Sequence, residues 1–177
     1  MLDAINFEQY FIPTEVAASA AGNKAKMRLR LTNAAAAASA GTKLNFRLAG
    51  GLKMVGGFLT NTCAGTPTLT AGTDIFDLTG ATIPGSGGAQ GLADDGFCEI
   101  EYEVLASGPV GTITNIVPPN SLTNAAGQSN KTPIQASLNL VAVNIRVNQQ
   151  TVNVTPGDPN IGKPIITGVN PLNCVSL

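Results

Sequence analysis

Few side chains in this sequence could do chemistry. Asp94-Asp95-Gly96 supplies two adjacent carboxylates in a Gly-rich stretch. A dedicated calcium loop spaces several oxygens regularly, as in Asp-x-Asp-x-Asp-Gly, so Asp94 and Asp95 offer part of a donor set and read as a solvated turn. Glu99, Glu101 and Glu103 alternate along one segment, and on a strand they would stand about 7 Å apart on one face. That spacing is within reach of the carboxylate pair of glycoside hydrolysis, but no other feature supports it and alternating acids ordinarily make a solvated face. Gly85-Ser86-Gly87-Gly88 sets a serine among glycines without the Gly-x-Ser-x-Gly pattern of a nucleophile elbow. With no histidine anywhere in the chain, the commonest general base and metal ligand is missing. The expectation is no catalytic residue, no cofactor and no metal centre.

The three cysteines, Cys63, Cys98 and Cys174, lack the close pairing of zinc sites. A disulfide with one odd thiol fits them, and buried free thiols are the alternative. Asn130-Lys131-Thr132 and Asn153-Val154-Thr155 match the glycosylation acceptor pattern, a short pattern that chance also produces.

Charge is sparse: 10 basic and 11 acidic residues, net charge −1. No basic patch for nucleic acid is expected. No segment approaches the length of an apolar membrane span, and the opening MLDAINFEQYF shows neither the basic nor the apolar region of a signal peptide. The 20 glycines and 11 prolines separate short apolar runs, as in a chain of many strands and turns.

The elements that would position these residues are strands. Lys24 to Leu31 alternates, with Met27, Leu29 and Leu31 on one face and Lys24, Lys26, Arg28 and Arg30 on the other. Phe97 to Val104 repeats the pattern with the opposite sign, Ile100, Tyr102 and Val104 inward beside Cys98. If the two pair, their outer faces are complementary; the alternative is two separate solvated faces. Leu44–Leu48, Phe58–Thr60, Thr66–Ala71 and Asp74–Leu78 read as further short strands, and Ala34–Ala38 as a connection too short for a stable helix. Gly80 to Gly96 reads as one long surface loop. Gly111–Val117 is a strand, followed by a Pro-Pro break and a short edge segment. Thr132 to Val147 is a longer strand whose apolar positions shift from even (Leu138, Leu140) to odd (Val141, Val143, Ile145, Val147), predicting a bulge or a change of sheet near Leu140. Ile5, Phe7, Tyr10 and Phe11 make the opening segment apolar enough to be a first core strand.

From about Phe7 to Leu140 the order of motifs resembles an immunoglobulin-like β-sandwich module found in tandem in large bacterial surface and secreted proteins. The resemblance rests on Phe11-Ile-Pro13, Leu31-Thr-Asn33, Thr62-Cys-Ala-Gly-Thr66, Leu78-Thr-Gly-Ala-Thr-Ile-Pro84, Cys98-Glu-Ile-Glu-Tyr102, Gly111-Thr-Ile-Thr-Asn-Ile-Val-Pro118 with Leu122-Thr123, and Gln135-Ala-Ser-Leu-Asn-Leu140. Ala64, where the family pattern has Gly, and a long insertion before Cys98 depart from it. It implies an all-β, immunoglobulin-like antiparallel sandwich over 1–140, a disulfide between Cys63 and Cys98, an oxidising compartment and no catalytic site.

Residues 141–177 then form a β-rich C-terminal extension. Val141, Val143, Ile145 and Val147, or Ile165, Ile166 and Val169, would be its donated or linking strand, with residues 1–11 a rival. The reading is a non-catalytic subunit of an extracellular or cell-surface homopolymer, a filament or surface layer, whose head-to-tail partner is itself. The alternatives are a spacer or adhesion module of a longer tandem protein, and a phage decoration or tail protein.

Overall fold

The computed structural model describes residues 5–86 and 96–143. They lie in the first of two units into which the chain divides, Met1–Val143. The described residues form twelve strands and no helix: β1 Ile5–Ile12, β2 Glu15–Ala17, β3 Ser19–Asn33, β4 Ser39–Arg47, β5 Leu52–Met54, β6 Thr60–Asn61, β7 Thr66–Leu69, β8 Ile75–Ile83, β9 Gly96–Gly108, β10 Gly111–Val117, β11 Leu122–Thr123 and β12 Ile134–Val141.

The strands make three sheets. The largest has the order β1-β3-β9-β5, with β6 also on β9; a second is β11-β4-β8-β7; a third is β10-β12-β2. All pairs are antiparallel except β2 with β12. Alternation of apolar and polar residues explains why the layers meet: Met27, Leu29 and Leu31 of β3 and Ile100, Tyr102 and Val104 of β9 all turn inward. Across the core Leu44 and Phe46 of β4 and Phe76 and Leu78 of β8 are buried in the same cluster. An aromatic stack crosses between the sheets, Phe46 to Phe76 at 5.0 Å and Phe76 to Tyr102 at 5.3 Å. This is an all-β sandwich, as the strand pattern implied.

The two oppositely charged segments do pair, over the length of β3 and β9, with Lys26 opposite Glu103, Arg28 opposite Glu101 and Arg30 opposite Glu99. Because side chains alternate with period two, this register places the charges outside and Met27, Leu29, Leu31, Ile100, Tyr102 and Val104 inside, with Phe97 left on the outer face.

Cys63 and Cys98 are joined, with Cα atoms 4.9 Å apart. Asn61 pairs with Ile100 and Thr62 N–H donates to Glu99 O, so the bond continues the β6–β9 pairing and staples one arm of the largest sheet. Ala64 next to it adopts φ 50°, the left-handed region in which glycine carries no Cβ penalty. That is the position at which the family pattern has Gly.

Two sequence expectations need correction. Gly80 does not open a loop: β8 continues through it to Ile83. Gly80 sits at φ 67°, beside the register shifts between Ser39 and Leu44 on the partner strand, so its glycine serves a bulge inside a strand. Gly96 likewise begins β9, and a Cβ there would collide with the Pro84 carbonyl. Nor is there a bulge near Leu140. Strand β12 pairs with β10 in unbroken register to Leu140 and with β2 to Val141. Leu138 and Leu140 are buried, whereas Val141 and Val143 are 37% and 54% exposed; Ile145 and Val147, on which the expected change of sheet also rests, lie outside the described residues.

Candidate interaction surfaces

Several of the groups with potential chemistry have a structural occupation, and others lie outside the described residues. Ser86 donates its hydroxyl to Ala34 O and its N–H to Ala35 O, which fastens the Pro84–Ser86 turn to the β3–β4 connection. Asn130 is fully buried; its Oδ1 accepts from Leu122 N–H at 2.9 Å, and its Nδ2 donates to Pro118 O and Thr132 O. It closes the 118–132 loop, where a glycan could not be attached without opening it. Among the described residues no three His, Cys, Asp or Glu side chains converge as a metal site. Asp94, Asp95, Ile145, Val147, Ile165, Ile166, Val169 and Cys174 lie outside the described residues.

The outer face of β1-β3-β9 carries most of the fixed charge. Glu101 takes Lys26 at 3.3 Å and Arg28 at 2.9 Å, and Glu103 takes Lys24 at 3.0 Å. The Arg28 hydrogen bond holds the Glu101 carboxyl below its usual pKa, against the opposing effect of burial and with help from Lys26. A general acid needs the reverse shift, so this environment does not suit Glu101 to the acid half of a glycosidase pair. Arg30 lies over the Phe97 ring at 4.0 Å, and the Tyr10 hydroxyl donates to Glu8. Between Tyr10, Ile12, Arg28, Glu99 and Ser137 runs an open cleft of about 540 Å³. On this face positive and negative groups largely satisfy one another.

A depressed carboxylate contributes stability that is present above its unfolded pKa, near 4.3, and is lost as pH falls through the lower folded value. Glu101→Gln is therefore expected to lower the melting temperature by a few degrees at pH 7. The gap from the parent chain should close as the pH falls below the ordinary carboxylate range, through the lowered folded value. Thermal unfolding at several pH values checks this; an equal gap at every pH would contradict it.

The third sheet is different in kind. Neither β10 (GTITNIV) nor β12 (IQASLNLV) carries a charged side chain. Thr112 bonds Asn139 and Thr114 bonds Ser137 across the outer face. Beneath, Gln9 of β1 donates to Asn115 O and Ile134 O, and Asn115 returns a bond to Gln9 Oε1 while accepting from Ala49 N–H. Gln9 and Asn115 are both buried, and this satisfied network fixes the third sheet on the first. The outcome is an uncharged ribbon ending in exposed Val110, Ile116, Val141 and Val143. β10 is legible as a strand in the sequence, but its place at a sheet edge follows only from the pairing order.

No protein-family model matches the chain, and no curated protein matches it. Among solved structures it is similar to a bacterial hydrophobin, BslA, at 16% identity and TM-score 0.40, over 79% of this chain and 97% of that one. It is also similar to a non-cellulosomal cohesin from the hyperthermophilic archaeon Archaeoglobus fulgidus, at 12% identity and TM-score 0.42, over 77% of this chain and 92% of that one.

Proposed function

We propose that this chain is a non-catalytic structural subunit of an extracellular or cell-surface homopolymer, in which the apolar segment after β12 is donated as a strand to a neighbouring copy. The observation that carries the reading is the end of β12. Leu140 is the last buried residue among those described, and it is followed by Val141 and Val143, both exposed, and in the sequence by Ile145 and Val147 at the same two-residue spacing. An exposed apolar row at strand spacing is suited to pairing with an open sheet edge, where backbone bonds supply affinity and alternate side chains supply fit. A contact between a tail and a different surface is head-to-tail and propagates. The buried Cys63–Cys98 bond supports an oxidising, extracellular setting. The lack of histidine and the pairing of Glu101 support a role without catalysis.

The test is sedimentation of the full chain against a chain ending at Val143. The full chain should form a concentration-dependent series of species and the shorter one a single monomer.

A further inference from the structure

Given strand donation, the structure points to the acceptor: we infer that the free edge of β10, Gly111–Val117, receives the segment beginning at Val143 of a second copy. This rests on the function proposed above and deepens it.

The sheet edges of the described residues are not equivalent. β1 carries Glu8 in its middle, β5 carries Lys53, β7 has four residues with Pro67 second, and β2, β6 and β11 are two or three residues long. These are the devices that discourage pairing with a stranger: charge, proline and shortness. β10 has none of them. It is seven residues long, free of charge and proline, and hydrogen-bonded to β12 on one side only. Among the described residues, the backbone of Thr112, Thr114 and Ile116 has no partner beyond that pairing. Their side chains are exposed or half-exposed, Ile116 at 54%.

The donor matches this edge. From Val143 to Val154 the sequence has one charged residue, Arg146, and its alternate positions Val143, Ile145 and Val147 are apolar. Laid along β10 they would stand beside its inward-facing positions, Ile113 and Val117.

The occupant is a second copy because the tail of one copy on the β10 edge of the next is the head-to-tail contact that propagates; a tail seated on its own copy's edge would leave the chain monomeric.

The experiment uses the full chain with Thr112→Lys and Thr114→Lys together, and separately with Ile116→Lys. All three side chains point away from the core, so circular dichroism should match the parent; the double variant loses the Thr112–Asn139 and Thr114–Ser137 bonds and should melt a few degrees lower, while Ile116→Lys should melt as the parent does. Sedimentation velocity then reads assembly. The expected result is a polymerising parent and lysine variants that associate at least roughly tenfold more weakly. A parent that polymerises with both variants unaffected overturns the β10 assignment and leaves strand donation standing. A parent that is monomeric overturns the donation reading and this assignment with it. Should the double variant unfold, Ile116→Lys alone decides.

Discussion

Phe76→Ala should cost about 3–5 kcal/mol of folding stability, the range for removing a fully buried aromatic ring. Phe76 is the middle ring of the stack that runs from Phe46 on β4, through β8, to Tyr102 on β9. All three rings are buried, and the stack joins the two large sheets across the core. Truncation leaves a cavity with rigid walls, since its lining belongs to paired strands and cannot close independently. Phe76→Leu should lose far less, because it retains most of the volume and forfeits mainly the aromatic contact, worth about 0.5–1.5 kcal/mol per pair. Urea unfolding of both variants measures the difference. A loss below about 1 kcal/mol for the alanine variant would show that the sheets are held by something other than this stack. Tyr102 adds an internal check: burial raises its phenol pKa well above the ordinary value, and its hydroxyl donates to Met27 Sδ. Its ultraviolet titration should therefore appear only when the sandwich opens.

Replacing Cys63 and Cys98 together by alanine should remove about 3.8 kcal/mol, the chain-entropy value for a loop of this length, given their sequence separation of 35. For a domain of this size that corresponds to a melting temperature lower by about 8–15 °C. The bond's location decides which part suffers first. It anchors the short β6 arm, whose other ties to β9 are the Thr60 and Asn61 pairs and the Thr62 contacts with Glu99. The long β3–β9 pairing does not depend on it. Hydrogen exchange should quicken earliest between residues 58 and 66 and last in β3. Both sulfurs are buried, so in the parent chain a mild thiol reductant should act only at the rate of local opening. An unchanged melting temperature for the double variant would mean that the arm is held by its hydrogen bonds alone.

Legibility of this molecule in its sequence followed the physics of each element. Strands with one wet and one buried face announced themselves: β3 and β9 through alternating charge, β10 and β12 through alternating Thr, Asn, Ser and apolar residues. The opposite outer charges of β3 and β9 made their pairing one of two readings, and the structure selects it. Gly80 misled because glycine at positive φ serves a bulge as well as a loop, and local sequence does not separate the two. The apolar shift after Leu140 misled in another way. Period-two patterns give alternate faces without saying which is buried, and Val141 lies outside. The structural role of Asn130 was hidden because its partners, Leu122 N–H, Pro118 O and Thr132 O, are backbone groups that leave no trace in side-chain pattern. Edge positions were illegible for a related reason: whether β10 has one neighbour or two is a property of strand order.

The most direct test of the central claim is sedimentation velocity of the full chain and of the chain ending at Val143, alone and mixed. Strand donation predicts a polymer series for the full chain and a single monomer boundary for the shorter one. It also predicts, in the mixture, a fall in polymer size as the shorter chain occupies acceptor sites without offering a donor. Identical sedimentation of the two chains at every concentration would contradict it.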